Sequence, residues 1–504
     1  MVQVEVTKKF LMGLGGRILL PVPLILPWLT PFTNGPSPAV IPWLISATCA
    51  VFVWLFRSRL TARTVVAGWL LAALVSACMA LLQYFDLTAA FSPWINHAGM
   101  GEAFANLRQR NQFATLTSIG LLALLWQVAQ TQSNCQPDLR GTHGLLLGAG
   151  VVLLALGNAA SGSRTGLLQW LLVLGLTVVW RPAGQWRLVA VGAGALLAYL
   201  VAALAVPRVL EAVTGLSSGG LLGRFAEEAG CGSRRVLWSN VLHLIAQKPW
   251  AGWGWGELDY AHFITLYPGE RFCDILDNAH NLPLHLAVEL GVPFALVVCG
   301  VGLCWVWRAK PWSEQDATRQ LAWGVLAVIL LHSMLEYPLW YGPFQLAAGL
   351  SVWLLWRTPE SWRFKGFGLI GSACVAIVLI AAIGFAAWDY WRISQLYLPF
   401  AERASAYQED TLQKVQGSWL FRDQVRFAEL ATTPLTPDHA RQINTLAHQL
   451  LHFSPEPRVI EKLIESAVML GRDDEALFYL QRFQAAFPQA HATWAAESGR
   501  HETP

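Results

Sequence analysis

The chain has 504 residues, 55% of them apolar and only 13% charged, with a net charge of +3. Soluble domains carry about 25% charged residues, so an ordinary soluble enzyme is excluded. The small net charge, with no Lys/Arg-rich run and no basic-aromatic interleaving, excludes a nucleic-acid partner. Charge is also unevenly spread: residues 390–504 hold 25 of the 67 Asp, Glu, Lys and Arg, which leaves the first 389 residues mostly for membrane. The 25 Trp suit a protein with many membrane-water boundaries, where an indole buries its ring and still hydrogen-bonds.

A helix needs about 20 apolar residues to cross the hydrocarbon layer. In chain order, eleven segments come close: 13–31, 39–56, 65–85, 112–129, 144–160, 165–180, 188–206, 282–307, 321–335, 339–356 and 367–388. Pro21, Pro23 and Pro27 kink the first, and the ninth is short. The predicted fold is an all-α polytopic membrane protein with four regions: N-terminal transmembrane helices (1–206), a large external loop (207–281), C-terminal transmembrane helices (282–389) and an external helical domain (390–504). Lys8 and Lys9 precede the first segment as in a signal peptide, but the segment is long and lacks a small-residue cleavage pattern, so it reads as an uncleaved anchor.

Basic residues favour cytoplasmic loops. An N-terminus inside places Lys8, Lys9, Arg57, Arg59, Arg63, Arg140, Arg181, Arg187, Arg308, Lys310, Arg319, Arg357, Arg363 and Lys365 in the cytoplasm, leaving Arg108, Arg110 and Arg164 in the short loops opposite. Eleven crossings then put the large loop and the C-terminus outside.

In the tail, 457–470 and 472–487 show apolar residues at three and four spacing, separated by Gly471. Ala476, Leu480, Phe483 and Pro488 fall at spacings like the second half of a tetratricopeptide repeat, and an ordinary helical hairpin accounts for them equally well. Cys49, Cys78, Cys299, Cys304 and Cys374 sit in spans as small apolar groups, and Cys135 is cytoplasmic. Cys231 and Cys273 are the one pair in the exported loop, a compartment where disulfides persist.

Deep within the spans, the ionisable candidates are only Arg17 and the His285/Glu289 pair, which counts against a proton-coupled transporter. Polar residues gather instead at helix ends: Arg108-Gln109-Arg110-Asn111-Gln112, Ser161-Gly162-Ser163-Arg164, Arg234-Arg235, Asn278-Ala279-His280-Asn281, and His332 with Glu336-Tyr337. On the assigned topology all five share the external side. Arginines without an evident carboxylate at that boundary suit a phosphate-bearing ligand with its tail in lipid, such as a lipid diphosphate. The competing explanation for any one arginine is snorkelling to headgroups. It accounts poorly for Arg164, which sits in a tight polar turn.

Three stretches bring a family into view: Ser161-Gly162-Ser163-Arg164-Thr165-Gly166; Arg234-Arg235-Val236-Leu237-Trp238 followed by Pro249-Trp250-Ala251-Gly252-Trp253-Gly254-Trp255-Gly256; and Asp277-Asn278-Ala279-His280-Asn281. In this order they resemble the O-antigen ligase/polymerase superfamily. The run His332-Ser333-Met334-Leu335-Glu336-Tyr337-Pro338-Leu339-Trp340-Tyr341 is similar, more specifically, to the bacterial protein O-oligosaccharyltransferases of the pilin-glycosylating type. The similarity covers most of the chain.

The resemblance implies en bloc transfer of an oligosaccharide from undecaprenyl diphosphate to a hydroxyl of a pilin-like protein, at the periplasmic face of a bacterial inner membrane. Expelling a diphosphate needs fixed cations, and the attacking hydroxyl benefits from a base. Arg164 and Arg234 are the candidate cations and His280 the candidate base, with Arg235, Arg110, Asn281, His332, Glu336, Tyr337 and Tyr341 as donor or acceptor contacts. The family's second arginine usually stands four residues before the Trp, which favours Arg234, although the doubled arginine leaves Arg235 open.

Each residue has a structural alternative. His280 can cap the next helix, His332 can be a polar helix end, and Tyr337 and Tyr341 can be boundary aromatics. The Gly-Trp-Gly-Trp-Gly run lacks the context of a phosphate loop and reads as an interfacial or sugar-stacking segment. No zinc spacing, Asp-x-Asp or Trp-Trp-Asp motif occurs, so no metal or other cofactor is expected, although Glu270, Asp274 and Asp277 can approach one another on folding. The remaining readings are an O-antigen ligase acting on lipid A-core, an O-antigen polymerase, and a transporter of lipid-linked sugar.

Overall fold

The computed structural model describes residues 21–33, 35–133, 141–181, 186–216, 220, 230–356 and 369–501. Lys8, Lys9, Arg17, Cys135, Arg140, Arg357, Arg363, Lys365 and the start of the first predicted span lie outside the described residues. The helices in chain order begin with α1 (Val22–Leu29), α2 (Val40–Leu55), α3 (Ala62–Tyr84), α4 (Arg110–Ser133), α5 (Thr142–Ser161), α6 (Arg164–Val179) and α7 (Arg187–Thr214). Next come α8 (Arg234–Gln247), α9 (Leu258–Ile264), α10 (Leu282–Leu290), α11 (Val292–Ala309), α12 (Ala317–Ser333), α13 (Gly342–Trp356) and α14 (Leu369–Ser394). The tail adds α15 (Arg422–Thr432), α16 (Ala440–Leu451), α17 (Pro457–Met469), α18 (Asp473–Ala486) and α19 (Pro488–His501).

Among the described residues six helices are long and apolar enough to cross a membrane: 62–84, 110–130, 144–161, 187–214, 292–313 and 371–397. With these spans the chain is a multi-pass membrane protein. Leu296, Val297, Val301, Leu303 and Trp307 on α11, and Ile377 and Val378 on α14, are exposed. Rows of apolar side chains turned outward are what lipid, not water, tolerates. The other predicted spans fall on shorter helices: α2 and α6 with 16 residues each, α12 with 17 and α13 with 15. Helix α7 runs eight residues past its expected end, because Pro207 sits inside it and costs only one ladder bond where the apolar pattern continues.

The contacts divide the chain into two compact units: Met1–Thr33 with Pro38–Glu227 and Val306–Phe385, and Asn34–Ser37 with Glu228–Trp305 and Ala386–Pro504. In the first unit α4 is the hub, packing on α3, α5, α6 and α12. Small residues permit close approach: a Cβ on Gly120 of α4 would meet the Ala73 Cβ of α3 at 2.5 Å, and one on Gly157 of α5 would meet the Ala77 Cβ of α3 at 2.8 Å.

In the second unit the predicted eighth span is broken. Helix α10 ends at Leu290, Gly291 takes φ +89°, and α11 starts afresh. The carbonyls that would continue the ladder are claimed by the Trp-rich run: the Trp253 N–H donates to the Val288 carbonyl (2.8 Å) and the Gly254 N–H to that of Glu289 (2.9 Å), while the Val292 N–H donates to the Pro249 carbonyl (2.8 Å). A Cβ on Gly252 would lie 2.3 Å from the Glu289 carbonyl oxygen and one on Gly291 2.2 Å from that of Trp250, which accounts for both glycines. The run is thus a strap across a helix end.

Cys231 and Cys273 are joined in a disulfide, with 5.4 Å between Cα atoms. Buried His262 pins the same loop, with one ring nitrogen 2.8 Å from the Tyr267 hydroxyl and the other 3.1 Å from the Phe272 carbonyl. Burial, with Arg271 beside it, pushes this imidazole down to about 3 and keeps it neutral.

The tail helices stack in sequence around Ile443, Leu450, Ile460, Leu463 and Phe483, and Gly471 with φ +68° turns α17 into α18. Helix α9, from the loop, belongs to this same core: Phe263 is buried in it and stacks on Tyr479 at 6.4 Å. Arg482 donates to the Ile264 carbonyl (2.8 Å), and His452 lies 2.6 Å from the Glu257 carboxylate. Phe263→Ala is expected to lower the unfolding free energy of this unit by about 3–5 kcal/mol, the usual cost of emptying a buried aromatic site. Thermal unfolding of purified protein checks this; an unchanged midpoint would mean that the tail core does not need the loop helix.

Candidate active site

The sequence-nominated residues fall into two clusters, one in each unit. In the first, Ser161 closes α5, Gly162 (φ +59°) turns the chain, and Ser163 caps α6 by accepting the Gly166 N–H at 3.0 Å, which leaves Arg164 as the first residue of α6. The cap is itself held. Ser163 Oγ donates to Asn111 Oδ1 (2.6 Å), Asn111 Nδ2 donates to Glu336 Oε1 (3.1 Å), and Gln109 Nε2 donates to Glu336 Oε2 (3.2 Å). The buried Glu336 carboxylate therefore orders two side chains of the 108–112 cluster, and through Asn111 fixes the turn that presents Arg164.

One turn before Glu336, His332 Nδ1 lies 2.9 Å from Thr115 Oγ1. Thr115 donates its hydroxyl proton to the Asn111 carbonyl (2.8 Å) and accepts from Gln169 Nε2 (2.8 Å). A hydroxyl has one proton and two lone pairs, so His332 Nδ1 is the donor to Thr115 Oγ1. Gln169 also donates to the Val328 carbonyl and accepts from Ser118 Oγ (3.1 Å). Thr115, Ser118 and Gln169 were not picked out in the sequence, where each is a lone uncharged polar residue in an apolar run. Tyr337 and Tyr341 stack with ring centres 5.8 Å apart.

One expectation fails in this cluster. Arg110 is not an unmatched cation: it forms an ion pair with Glu102, eight residues earlier. Arg108 donates to the Pro31 carbonyl and to Asn96 Oδ1 at 3.4 Å each.

In the second unit, Ser233 caps α8, setting Arg234 and Arg235 in its first turn. Arg234 and Trp238, four apart, share a stripe of that helix. The Trp238 indole N–H donates to the Ala279 carbonyl (3.1 Å), tying this stripe to the residue before His280. His280 takes φ +50°, its N–H bonded to Asn278 Oδ1 at 2.9 Å, and Asn281 caps α10 by accepting the Leu284 N–H at 3.1 Å. Capping thus belongs to Asn281, and His280 stands one residue outside the helix in a left-handed conformation that a β-carbon disfavours. Arg235 is exposed and, three residues before Trp238, flanks the same indole. Asp259, buried nearby in α9, has its carboxyl pushed up to about 7, first by burial and then by the charges of Glu257 and Asp277.

The chain was compared with known proteins. Residues 149–299 match the family model for O-antigen ligase, residues 320–500 that for virulence factor membrane-bound polymerase, C-terminal, and residues 103–126 that for protein glycosylation ligase. A general O-oligosaccharyltransferase of Acinetobacter baylyi is 25% identical over 343 residues, 64% of this chain and 56% of that protein. A ComP-specific O-oligosaccharyltransferase of the same organism is 27% identical over 117 residues, 23% of this chain and 21% of that protein. The chain spans about half the length of the first relative. These matches show a likeness to the O-antigen ligase superfamily and, over a short stretch, to proteins of the protein glycosylation ligase type.

Two outcomes check this geometry. Asn111→Leu strips partners from Ser163 and Glu336 and is expected to cost about 1–3 kcal/mol of stability; a thermal midpoint equal to wild type would show that the cap is held otherwise. Asp259 binds a proton up to about pH 7 in the folded chain but ionises near its ordinary 3.8 in the unfolded one, so stability is lost as pH rises between those values. Asp259→Asn should therefore gain stability over wild type at pH 8 and match it at pH 4. Equal differences at both values would rule out the buried proton.

Proposed function

We propose that this chain transfers an oligosaccharide en bloc from undecaprenyl diphosphate to a Ser/Thr hydroxyl of a pilin-like protein, at the periplasmic face of the bacterial inner membrane. The observation that carries the reading is the Trp238–Ala279 hydrogen bond, which ties the Arg234 stripe to His280 within the segment matched by the O-antigen ligase family. The match to the protein glycosylation ligase model and the names of the relatives favour protein as acceptor.

In this reading the acceptor hydroxyl oxygen attacks the anomeric carbon and its proton passes to His280. The bond from that carbon to the diphosphate oxygen breaks, and the electron pair leaves with undecaprenyl diphosphate. Arg234 stabilises the growing negative charge, worth about 3–4 kcal/mol by analogy with oxyanion donors, and Arg164 is the candidate cation of the first unit's own cluster. His332, Glu336, Tyr337 and Tyr341 are the first unit's candidate substrate contacts, and charge neutralisation by arginine makes a divalent metal unnecessary. The loop and tail face the periplasm and the N-terminus the cytoplasm.

Arg164→Ala, Arg234→Ala and His280→Ala are each expected to cut transfer by about a hundredfold or more while the protein still reaches the membrane. His280→Ala acting at the wild-type rate in a purified assay would remove the base. Chelation should leave transfer intact; activity that stops in EDTA and returns only with added divalent ion would overturn the metal-free mechanism. The O-antigen ligase match supports a second reading, transfer to lipid A-core. Offering both acceptors to the reconstituted chain decides, since the protein reading fails if only lipid A-core is glycosylated.

A further inference from the structure

Beside the disulfide, within the second unit, α8 borders an open cleft of about 1010 Å3. That is at the top of the roughly 300–1,000 Å3 range of ligand clefts and is more than one reacting sugar requires. One side is a stripe of α8: Arg235, Trp238, Ser239 and Leu242, at positions i, i+3, i+4 and i+7. The opposite wall is Glu270 and Arg271. Arg271 is held rigid by donating to the Thr265 and His262 carbonyls at 2.9 and 2.8 Å, and Asn240 fixes the wall by donating to the Glu270 carbonyl at 2.9 Å and accepting the Phe272 N–H at 2.8 Å.

This lining has the chemistry of carbohydrate recognition. A sugar presents an apolar C–H face and a rim of hydroxyls that both donate and accept. Trp238 offers a flat ring, fixed by its bond to Ala279, while Arg235 supplies donors, Glu270 an acceptor and Ser239 both. An exposed Leu242 with this polar set argues against an ion site, and the presence of both charge signs against a polyanion. The Trp238 bond also ties this wall of the cleft to Ala279, the residue before His280.

We propose that this cleft binds the donor oligosaccharide beyond the sugar that reacts, so that Arg235 serves glycan recognition while Arg234 serves the diphosphate. The proposal rests on the transfer reading above and names the part of the donor that sets its specificity.

The test uses the full-length chain in detergent, with the oligosaccharide released by mild acid from the lipid-linked pool of the producing cells as probe. Ser239→Trp, which fills the cleft from an exposed position, and Glu270→Ala, which removes an acceptor, should each weaken binding followed by tryptophan fluorescence by about tenfold, the loss of one hydrogen bond or stacked contact. In reconstituted transfer, both variants should lose kcat/KM by a similar factor with the oligosaccharide donor and stay near wild type with a lipid diphosphate carrying one sugar. Wild-type protein that does not bind the probe, variants that bind it as tightly, or equal losses with both donors would overturn the cleft. Binding and variant effects as expected, but no transfer to any acceptor by wild type, would leave the cleft standing and overturn the transfer reading instead.

Discussion

A polar group inside an apolar bundle must find its partner within the protein, because lipid offers none. The buried Glu336 carboxylate meets that demand by gathering Gln109 and Asn111, and everything that orders the first cluster follows from it. Asn111 passes the constraint to Ser163, and Ser163 caps the helix that starts with Arg164. Gln169 meets the same demand one layer deeper, linking Thr115, Ser118 and the Val328 carbonyl around His332. Candidate site residues at the ends of these helices are thus set by a hydrogen-bonded frame rather than by packing alone.

The second unit solves a different problem. A long loop must hold Arg234 and His280 in register without a membrane helix beneath each of them. A disulfide, the Trp-rich strap, a neutral buried histidine and docking on the tail fix it at four separate points. Each is inexpensive alone, and together they leave the loop few alternative conformations.

Much of this was legible in the sequence. The apolar segments marked the helices, the pair Cys231 and Cys273 was nominated by compartment, and the Ser-Gly-Ser-Arg stretch read as a tight polar turn. What escaped detection involves partners far away in the chain. The break at Gly291 depends on a strap about forty residues upstream of it in sequence order, beginning at Pro249, and hydropathy sees only a continuous apolar run. Helix α7 passes through Pro207, against a local rule that would stop it. Glu102, which neutralises Arg110, is separated from it by residues whose fold no periodicity predicts. Gln169 and Thr115 carry no charge, so nothing marked them until their geometry was known.

The seat of Phe263 in the tail core bears on how this architecture diverges between relatives. The surface of α9 and the surface of α18 that receives it form one interface written in two distant stretches of sequence. A change in either is tolerated only if the other accommodates it, so the loop and the tail cannot drift independently. A chimera that exchanges tails between relatives must carry residues 258–264 along with the tail, and lineages that alter one stretch should record the matching change in the other.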